Sequence, residues 1–248
     1  MEQINAVVIA VPTGADSDLA HILPNGHKSL VSMNDRPAVS YVVDNLKKCE
    51  LVSKVVLVSD KAIFDVAANA DVFVEASDLN AGVLAGMRAA EGSSKCMIIS
   101  GDMPLASSEA ISDFLTYAPD CDVVYPIVGK ADVKAMFPER LAYYVKAKEG
   151  QFTGSTCLLF RNDAVSSREE LLTRLLNARK NPQSLIGLIG PGIAMKYMLS
   201  TLALSEFESG LSRALDLDCR VFISHFPELF ISLDSIDDLR LMERALAC

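Results

Sequence analysis

The chain has 248 residues, and 23 Lys and Arg stand against 32 Asp and Glu, which gives a net charge of −9 near pH 7. Half of the residues are hydrophobic and 22% are charged, so the composition excludes a disordered, collagen-like or coiled-coil chain. The acidic balance argues against a nucleic-acid partner, because such binding relies on clustered Lys and Arg. A phosphorylated substrate would therefore need a local basic site or a metal ion.

Short apolar runs rich in β-branched residues alternate with helical patterns through the first half of the chain. In chain order they predict a strand over 5–11, a helix over 37–48, a strand over 54–58, a helix over 62–69, a strand over 71–74, a helix over 79–90, a strand over 95–100, a helix over 107–117 and a strand over 122–128. This alternation predicts an α/β fold whose mostly parallel sheet is covered on both faces. Right-handed crossovers then bring the loops after the strands to one edge, where such sheets bind ligands.

The pattern changes after residue 128. Segments 141–147 and 155–160 are predicted as paired strands, and residues 163–215 form a helix-rich elaboration. A strand over 219–224 and a terminal helix from Ser235 complete the chain. No linker or internal repeat divides the sequence, so we predict a single domain over 1–248.

The apolar runs and the cysteines indicate the surroundings of the protein. Apolar runs such as 6–11 are far shorter than the roughly 20 residues that cross a bilayer. The N-terminus lacks the features of a secretory signal, so we expect a cytoplasmic protein without a membrane partner. Six scattered cysteines without a C-x-x-C pair favour reduced core thiols over disulfides or a metal cluster, and the histidines show no zinc-ligand spacing.

The strongest local pattern lies at residues 98–105. A buried strand ends at Gly101, presents Asp102 and is stopped by Pro104. A carboxylate at the end of a strand suits Mg²⁺ that bridges nucleotide phosphates, and an ordinary turn is the alternative. No glycine fingerprint follows the first strand and no Walker A sequence is present, which disfavours a dinucleotide oxidoreductase or a P-loop kinase.

Two further segments carry candidate residues. Asp234 stands just before the last helix; a helix N-cap is the alternative, and its spacing alone favours the cap. The segment 12–29 is long for a loop without a function, and it contains Gly14, His27 and Lys28. Lys28 could reach a triphosphate and stabilise its charge, whereas a solvated surface lysine is the alternative.

In this order and spacing the motifs resemble those of the MobA-like nucleotidyltransferases. The family's first-strand L-A-G-G is matched by residues 9–12, its K-x-L by 28–30, its short turn into a helix by 34–39, its G-D-x-P-L by 101–105 and its D-x-x-x-D-L by 234–239. A little-characterised branch of the family is further matched by 124–128, 152–154 and 179–182. The resemblance spans most of the chain.

The resemblance implies a three-layer α/β/α Rossmann-like fold of the GT-A type, with a nucleotide-binding half over 1–128 and an acceptor half over 129–248. It implies transfer of a nucleotidyl group from an NTP to a phosphorylated or anionic small-molecule acceptor, with release of pyrophosphate. Carried over residue by residue, Asp102 and Asp234 would hold Mg²⁺, and Lys28 and Asp102 would be the catalytic residues. The implied nucleotide contacts are Ala10, Gly14, Lys28, Asn80, Gly82 and Gly101. A helix cap is the alternative for residues 80–82.

The sequence also departs from the family pattern. Val11 and Pro12 replace the two loop glycines, and proline has no N–H to offer a phosphate. Gly14 would partly compensate if the loop shifts its register. Ser155 and Thr156 stand for a Gly and an Asn of the branch motif, and Ser232 stands for an Asp.

These departures keep other functions open. One is a catalytically impaired sensor or scaffold protein that binds a nucleotide or nucleotide-sugar. A GT-A glycosyltransferase is a third, disfavoured because Asp216 and Asp218 form a D-x-D triplet outside the strand-edge context. The helical segment 163–215 could form an acceptor lid or a homodimer face, and Arg179 and Lys180 could contact an anionic acceptor.

Overall fold

The computed structural model describes residues 2–12, 19–67, 69–166 and 189–247, with the backbone alone at residues 165 and 166. The strands are β1 (Ile4–Ile9), β2 (Ser32–Met33), β3 (Arg36–Pro37), β4 (Val52–Ser59), β5 (Val72–Glu75), β6 (Lys95–Ser100), β7 (Val123–Gly129), β8 (Val145–Ala147), β9 (Gly150–Gly154), β10 (Leu158–Arg161) and β11 (Cys219–Ser224). The α-helices are α1 (Ala38–Lys48), α2 (Lys61–Phe64), α3 (Leu79–Ala89), α4 (Ser108–Tyr117), α5 (Lys130–Met136), α6 (Asn162–Ser166), α7 (Pro191–Met198), α8 (Leu204–Leu215) and α9 (Ile236–Leu246).

One mixed, mostly parallel sheet organises these elements. Its strand order is β5-β4-β1-β6-β10-β7-β9-β8, and β11 pairs with β7 off that path. The strands β5, β4, β1 and β6 are parallel to one another, as are β7 and β11, whereas β10 runs antiparallel between β6 and β7. The predicted α/β class with a mostly parallel sheet is confirmed.

Two hydrophobic clusters cover the two faces of the sheet. Because side chains alternate along a strand, Ala6 and Val8 of β1 lie in a cluster with residues of α1 and α4. Val7 and Ile9 lie in the other cluster, with residues of α3 and α8. Helices therefore pack on both faces, as the apolar strands predict.

The strand pairing of the second half differs from the prediction. Segments 141–147 and 155–160 do not pair with each other: β8 pairs with β9, and β10 lies between β6 and β7. A tight turn at Lys148 and Glu149 joins β8 directly to β9. Leu159 and Phe160 are buried in the sheet, whereas β8 lies at its edge.

Among the other boundaries, some match the sequence prediction and one does not. Helix α2 ends at Phe64 instead of 69, whereas β6 and β11 have the predicted bounds, and Ser107 caps α4 as predicted. The five described cysteines are buried free thiols. Among the described residues, no helix is both long enough and apolar enough to span a membrane. The single domain and its two halves stay predictions.

Candidate functional site

Asp102 lies just beyond the carboxyl end of β6, next to the end of β1. The Gly101 N–H donates to the Ile9 carbonyl at 2.8 Å, which extends the pairing of β6 with β1 past the end of the strand. A Cβ on Gly101 would lie 2.9 Å from Ser29 Oγ and 3.0 Å from the Ala10 Cβ. The absence of a side chain at Gly101 therefore allows the segment around Ser29 to close against the strand ends.

The Asp102 side chain is buried and incompletely bonded. It is 6% exposed, and its Oδ1 atom has no hydrogen-bond partner among the described residues. Burial raises the pKa of Asp102; a hydrogen bond from Ser100 and the charge of Lys28 oppose this shift, and the charge of Asp234 adds to it. A buried carboxylate oxygen without a partner costs free energy, and a bound cation would offset that cost. The Asp102 carboxylate is therefore suited to bind a cation.

Asp234 and Lys28 lie beside Asp102. Lys28 Nζ donates to Asp234 Oδ1 at 2.7 Å, and Ser232 Oγ donates to Asp234 Oδ2 at 2.7 Å. Burial would raise the pKa of Asp234, but these two hydrogen bonds and the Lys28 charge hold it below its ordinary value. The Leu233 N–H donates to the Asp102 carbonyl at 3.1 Å, so backbone pairing joins the two acidic segments. The fold thus gathers all three predicted charged residues.

The helix N-cap alternative for Asp234 is wrong. Ser235 is the N-cap of α9, and its Oγ accepts from the Asp238 N–H at 3.1 Å. Because the neighbouring serine caps the helix, the Asp234 carboxylate is left to Lys28 and Ser232. The sequence contains the signal for this arrangement, since Ser-x-x-Asp before an apolar run is a capping-box pattern.

The helix-cap alternative for residues 80–82 is also wrong. Asp78 caps α3, and its side chain accepts from the Ala81 N–H at 3.0 Å. A Cβ on Gly82 would lie 3.0 Å from Val58 Cγ1, so Gly82 allows close packing of α3 on β4. Asn80 lies in the first turn of α3, and the contacts of Asn80 and Gly82 with a nucleotide stay predictions.

The backbone after β1 is already engaged within the protein. The Ala10 N–H donates to the Val58 carbonyl at 2.8 Å, and the Ala10 carbonyl accepts from Ser59 Oγ at 2.8 Å. The Val11 side chain is buried in the cluster with α3, and Pro12 has no N–H. Gly14 lies outside the described residues, as do Arg179 and Lys180. The described part of this loop offers no N–H from residue 10 or 12.

A buried histidine fixes the segment that carries Lys28. The His27 side chain is fully buried; its Nδ1 lies 3.0 Å from the Ala10 carbonyl and its Nε2 lies 2.9 Å from Asp60 Oδ2. These contacts join His27 to the ends of β1 and β4, and so fix the start of the segment that follows. In the sequence His27 is only a member of the long loop, because its partners Ala10 and Asp60 are distant in the chain.

The D-x-D triplet lies away from these residues. Asp218 precedes β11 and pairs with Arg220, and the Asp218 N–H donates to Asp122 at the start of β7. These positions are at the amino ends of β7 and β11, whereas Asp102 follows the carboxyl end of β6. The triplet therefore does not join the candidate site.

Comparisons with known proteins indicate a family for this chain. The model of the MobA-like NTP transferase domain matches residues 24–174. A probable molybdenum cofactor guanylyltransferase of Pyrococcus horikoshii is 28% identical over 90 residues, which are 36% of this chain and 45% of that protein. The match thus spans about half the length of this curated relative.

Solved structures extend the likeness to nearly the whole chain. A hypothetical transferase from Thermus thermophilus has a TM-score of 0.84 and 28% identity, covering 96% of this chain and 100% of that one. A 4-diphosphocytidyl-2C-methyl-D-erythritol synthase from Anaerococcus prevotii has a TM-score of 0.61 and 12% identity, covering 100% and 97%. The second of these shows the fold alone.

Proposed function

Because the chain belongs to the MobA-like NTP transferase family, we propose that it is a Mg²⁺-dependent nucleotidyltransferase. The proposed reaction moves a nucleotidyl group from an NTP to a phosphorylated or otherwise anionic small molecule. An acceptor oxygen forms a bond to the α-phosphorus as the bond from that phosphorus to the bridging oxygen breaks. Pyrophosphate leaves with the electron pair of the broken bond.

One observation carries the proposal: the buried Asp102 Oδ1 has no hydrogen-bond partner in the described part of the chain, yet Asp234 and Lys28 lie beside it. Carboxylate oxygens are the donors that Mg²⁺ prefers, so Asp102 and Asp234 would hold the ion. A bound Mg²⁺ would neutralise phosphate charge and the charge that develops on pyrophosphate.

The remaining work of the chain is binding and orientation. Nucleotidyl transfer needs little covalent participation by the protein, because alignment and charge stabilisation supply most of the rate. Lys28 would exchange its contact with Asp234 for a phosphate oxygen, or share its three donors between the two. Its side chain is only 16% exposed, so a phosphate bound there would be shielded from water. Asn80 and Gly82 would contact the base or ribose.

A thermal-shift panel of the four NTPs, each with and without Mg²⁺, tests the proposal. Binding to the native state raises stability by RT ln(1 + [L]/Kd), so we expect one NTP to raise Tm only when Mg²⁺ is present. Asp102→Asn should abolish that shift and pyrophosphate release. Asp120→Asn is the matched control, because Asp120 lies at the other end of β6, bonded to Lys95. Stabilisation by no NTP, or an unchanged shift in Asp102→Asn, would overturn the proposal.

A nucleotide-binding sensor is the second candidate, and one observation favours it. The Ala10 N–H is bonded to Val58 and Pro12 has no N–H, so neither of these two residues of the described loop offers a donor to orient a triphosphate. A sensor predicts stabilisation by a nucleotide or nucleotide-sugar that does not require Mg²⁺ and survives Asp102→Asn. The transferase predicts instead that the stabilisation is lost when Mg²⁺ is left out and also in Asp102→Asn.

A further inference from the structure

A buried arginine contacts the helix that follows Asp234, a residue of the candidate metal site. Arg140 follows α5, and its Nε donates to Asp238 Oδ1 at 3.2 Å. The two side chains are 9% and 8% exposed, and among the ion pairs of the described residues no other pair has both partners so buried. Other ion pairs of α9, such as Arg244 with Glu139, are exposed. Desolvating both charges is costly, so net stabilisation of the fold is a weak explanation for this pair.

Asp238 connects this arginine to Asp234. Its Oδ2 accepts from Ser235 Oγ at 2.8 Å and from the Asp234 N–H at 3.3 Å. The Arg140 charge also contributes to lowering the pKa of Asp234. The backbone of a proposed Mg²⁺ ligand is therefore held by a carboxylate that Arg140 holds in turn.

The backbone of Arg140 is held in place by Lys134. Lys134 Nζ donates to the carbonyls of Pro138 at 2.7 Å and Arg140 at 2.8 Å. Phe137 packs in a hydrophobic cluster that includes Leu105 and Leu233, which lie on the two acidic segments. The segment that carries Arg140 thus forms part of the support beneath the site.

We propose that Arg140 is a positioning residue, which acts through Asp238 to hold Asp234 opposite Asp102. This inference rests on the proposed function, since it assigns Arg140 to the Mg²⁺ site of that reaction. Partners that orient metal ligands typically change metal affinity about 10–100-fold when they are removed. Arg140 is therefore expected to set the affinity for the ion more than the affinity for the nucleotide.

The first experiment compares Arg140→Lys and Arg140→Met with wild type in two measurements. The Mg²⁺ concentration that gives half of the NTP-dependent thermal shift should rise about tenfold or more in Arg140→Met, and less in Arg140→Lys, which keeps the charge. At saturating Mg²⁺ the NTP affinity should stay close to wild type. The same Mg²⁺ requirement in all three proteins, or equal losses of ion and nucleotide affinity, would overturn the inference.

Amide hydrogen exchange supplies a readout that needs no nucleotide. The Asp234 amide should exchange faster in Arg140→Met, while the Ala10 amide, bonded to Val58, should keep its protection and so verify the fold. Arg161→Met is the matched control, because Arg161 pairs with Asp120 at the other end of β6. Unchanged exchange at Asp234 would overturn the inference even if the wild type bound no NTP. Faster exchange with no NTP binding would support it and count against the proposed function alone.

A double-mutant cycle tests whether Arg140 acts through Asp238. Asp238→Asn removes the charge and retains an oxygen that can accept from Ser235 and Asp234, so it also serves if Arg140→Met fails to fold. We expect the loss in Mg²⁺ affinity of the double variant to be close to that of the larger single loss. Fully additive losses would overturn the inference, because they would mean that the two residues act separately.

Discussion

The two ends of β6 place a carboxylate in opposite environments. Lys95, the first residue of the strand, lies 2.9 Å from Asp120, and Arg161 of β10 lies 2.8 Å from the same oxygen. Beyond the other end, about 20 Å away at roughly 3.3 Å per residue, Asp102 is buried, and none of the residues that the structure describes is hydrogen-bonded to its Oδ1. Both carboxylates have cations nearby, but only Asp120 is paired directly with two of them.

The pKa values record this difference. Hydrogen bonds from Arg161 and Lys95 lower the pKa of Asp120 to about 2, whereas burial raises the pKa of Asp102. An exposed carboxylate that is paired with cationic side chains contributes to the local structure and does not require a bound cation. Burial disfavours the charged form of a carboxylate with a raised pKa, and a bound cation would offset that cost. Groups with such shifted pKa values cluster at functional sites.

The largest effect is expected from the lysines at the two ends. Lys28→Met should lower pyrophosphate release about 10²–10³-fold, because it removes a cation that stabilises developing phosphate charge. Lys95→Met, at the Asp120 end, should leave the rate unchanged. Steady-state kinetics of pyrophosphate release with the NTP found in the thermal-shift panel would measure both.

Two checks make that comparison decisive. Circular dichroism should show that both variants are folded, and the thermal shift should show whether Lys28→Met still binds the NTP. Equal rates for the Lys28→Met and Lys95→Met variants would remove the functional distinction between the two ends of β6.

The resemblance points to the charged residues of the candidate site, but the sequence does not reveal their surroundings. Asp102, Asp234 and Lys28 lie in recognisable local motifs, so their types and order point to phosphate chemistry. The Arg140–Asp238 and His27–Asp60 contacts join residues 98 and 33 positions apart, and no local pattern encodes them. They arise only when the strand ends converge.

The predictability of the fold follows the same division. The parallel strands of the first half are apolar throughout, so their alternation with helices fixes their arrangement. The short β8 and β9 carry weaker patterns, and a tight turn decided their pairing. Local chemistry also determines the helix starts: Ser235 caps α9 instead of Asp234, and Asp78 caps α3 instead of residues 80–82.

A smaller effect, on stability, should have opposite signs at the two ends. In Mg²⁺-free protein, Asp102→Asn should raise the free energy of unfolding by about 1–3 kcal/mol at neutral pH, because it removes a buried charge whose Oδ1 has no hydrogen-bond partner among the described residues. That corresponds to roughly 2–4 °C in Tm for each kcal/mol in a chain of this size. Asp120→Asn should lower Tm slightly or not at all, because exposed ion pairs are screened.

The pH dependence gives these signs a second test. Because the folded pKa of Asp102 is raised, its ionisation destabilises the fold as pH rises from the ordinary value of 3.8, so the gain in Asp102→Asn should grow with pH. The folded pKa of Asp120 is lowered, so its contribution is present above 3.8 and disappears as pH falls toward about 2. Thermal melts from about pH 2 up to neutral pH would measure both. A gain in Asp102→Asn that shrinks with pH would contradict this account of the site.

The smallest effect is expected within the Asp102 end itself, at Pro12. Pro12→Ala and Pro12→Gly both restore a backbone N–H beside the proposed phosphate site, and one added donor should tighten NTP binding by up to about tenfold, or ~1.4 kcal/mol. Glycine also frees the unfolded chain, which should cost the metal-free protein about 0.4–1 kcal/mol of stability. Calorimetric titration with the NTP and Mg²⁺ would separate the two causes. Equal gains in both variants would identify the N–H as the missing element, a gain in glycine alone would identify backbone freedom, and no gain in either would show that the site orients its phosphates without this loop.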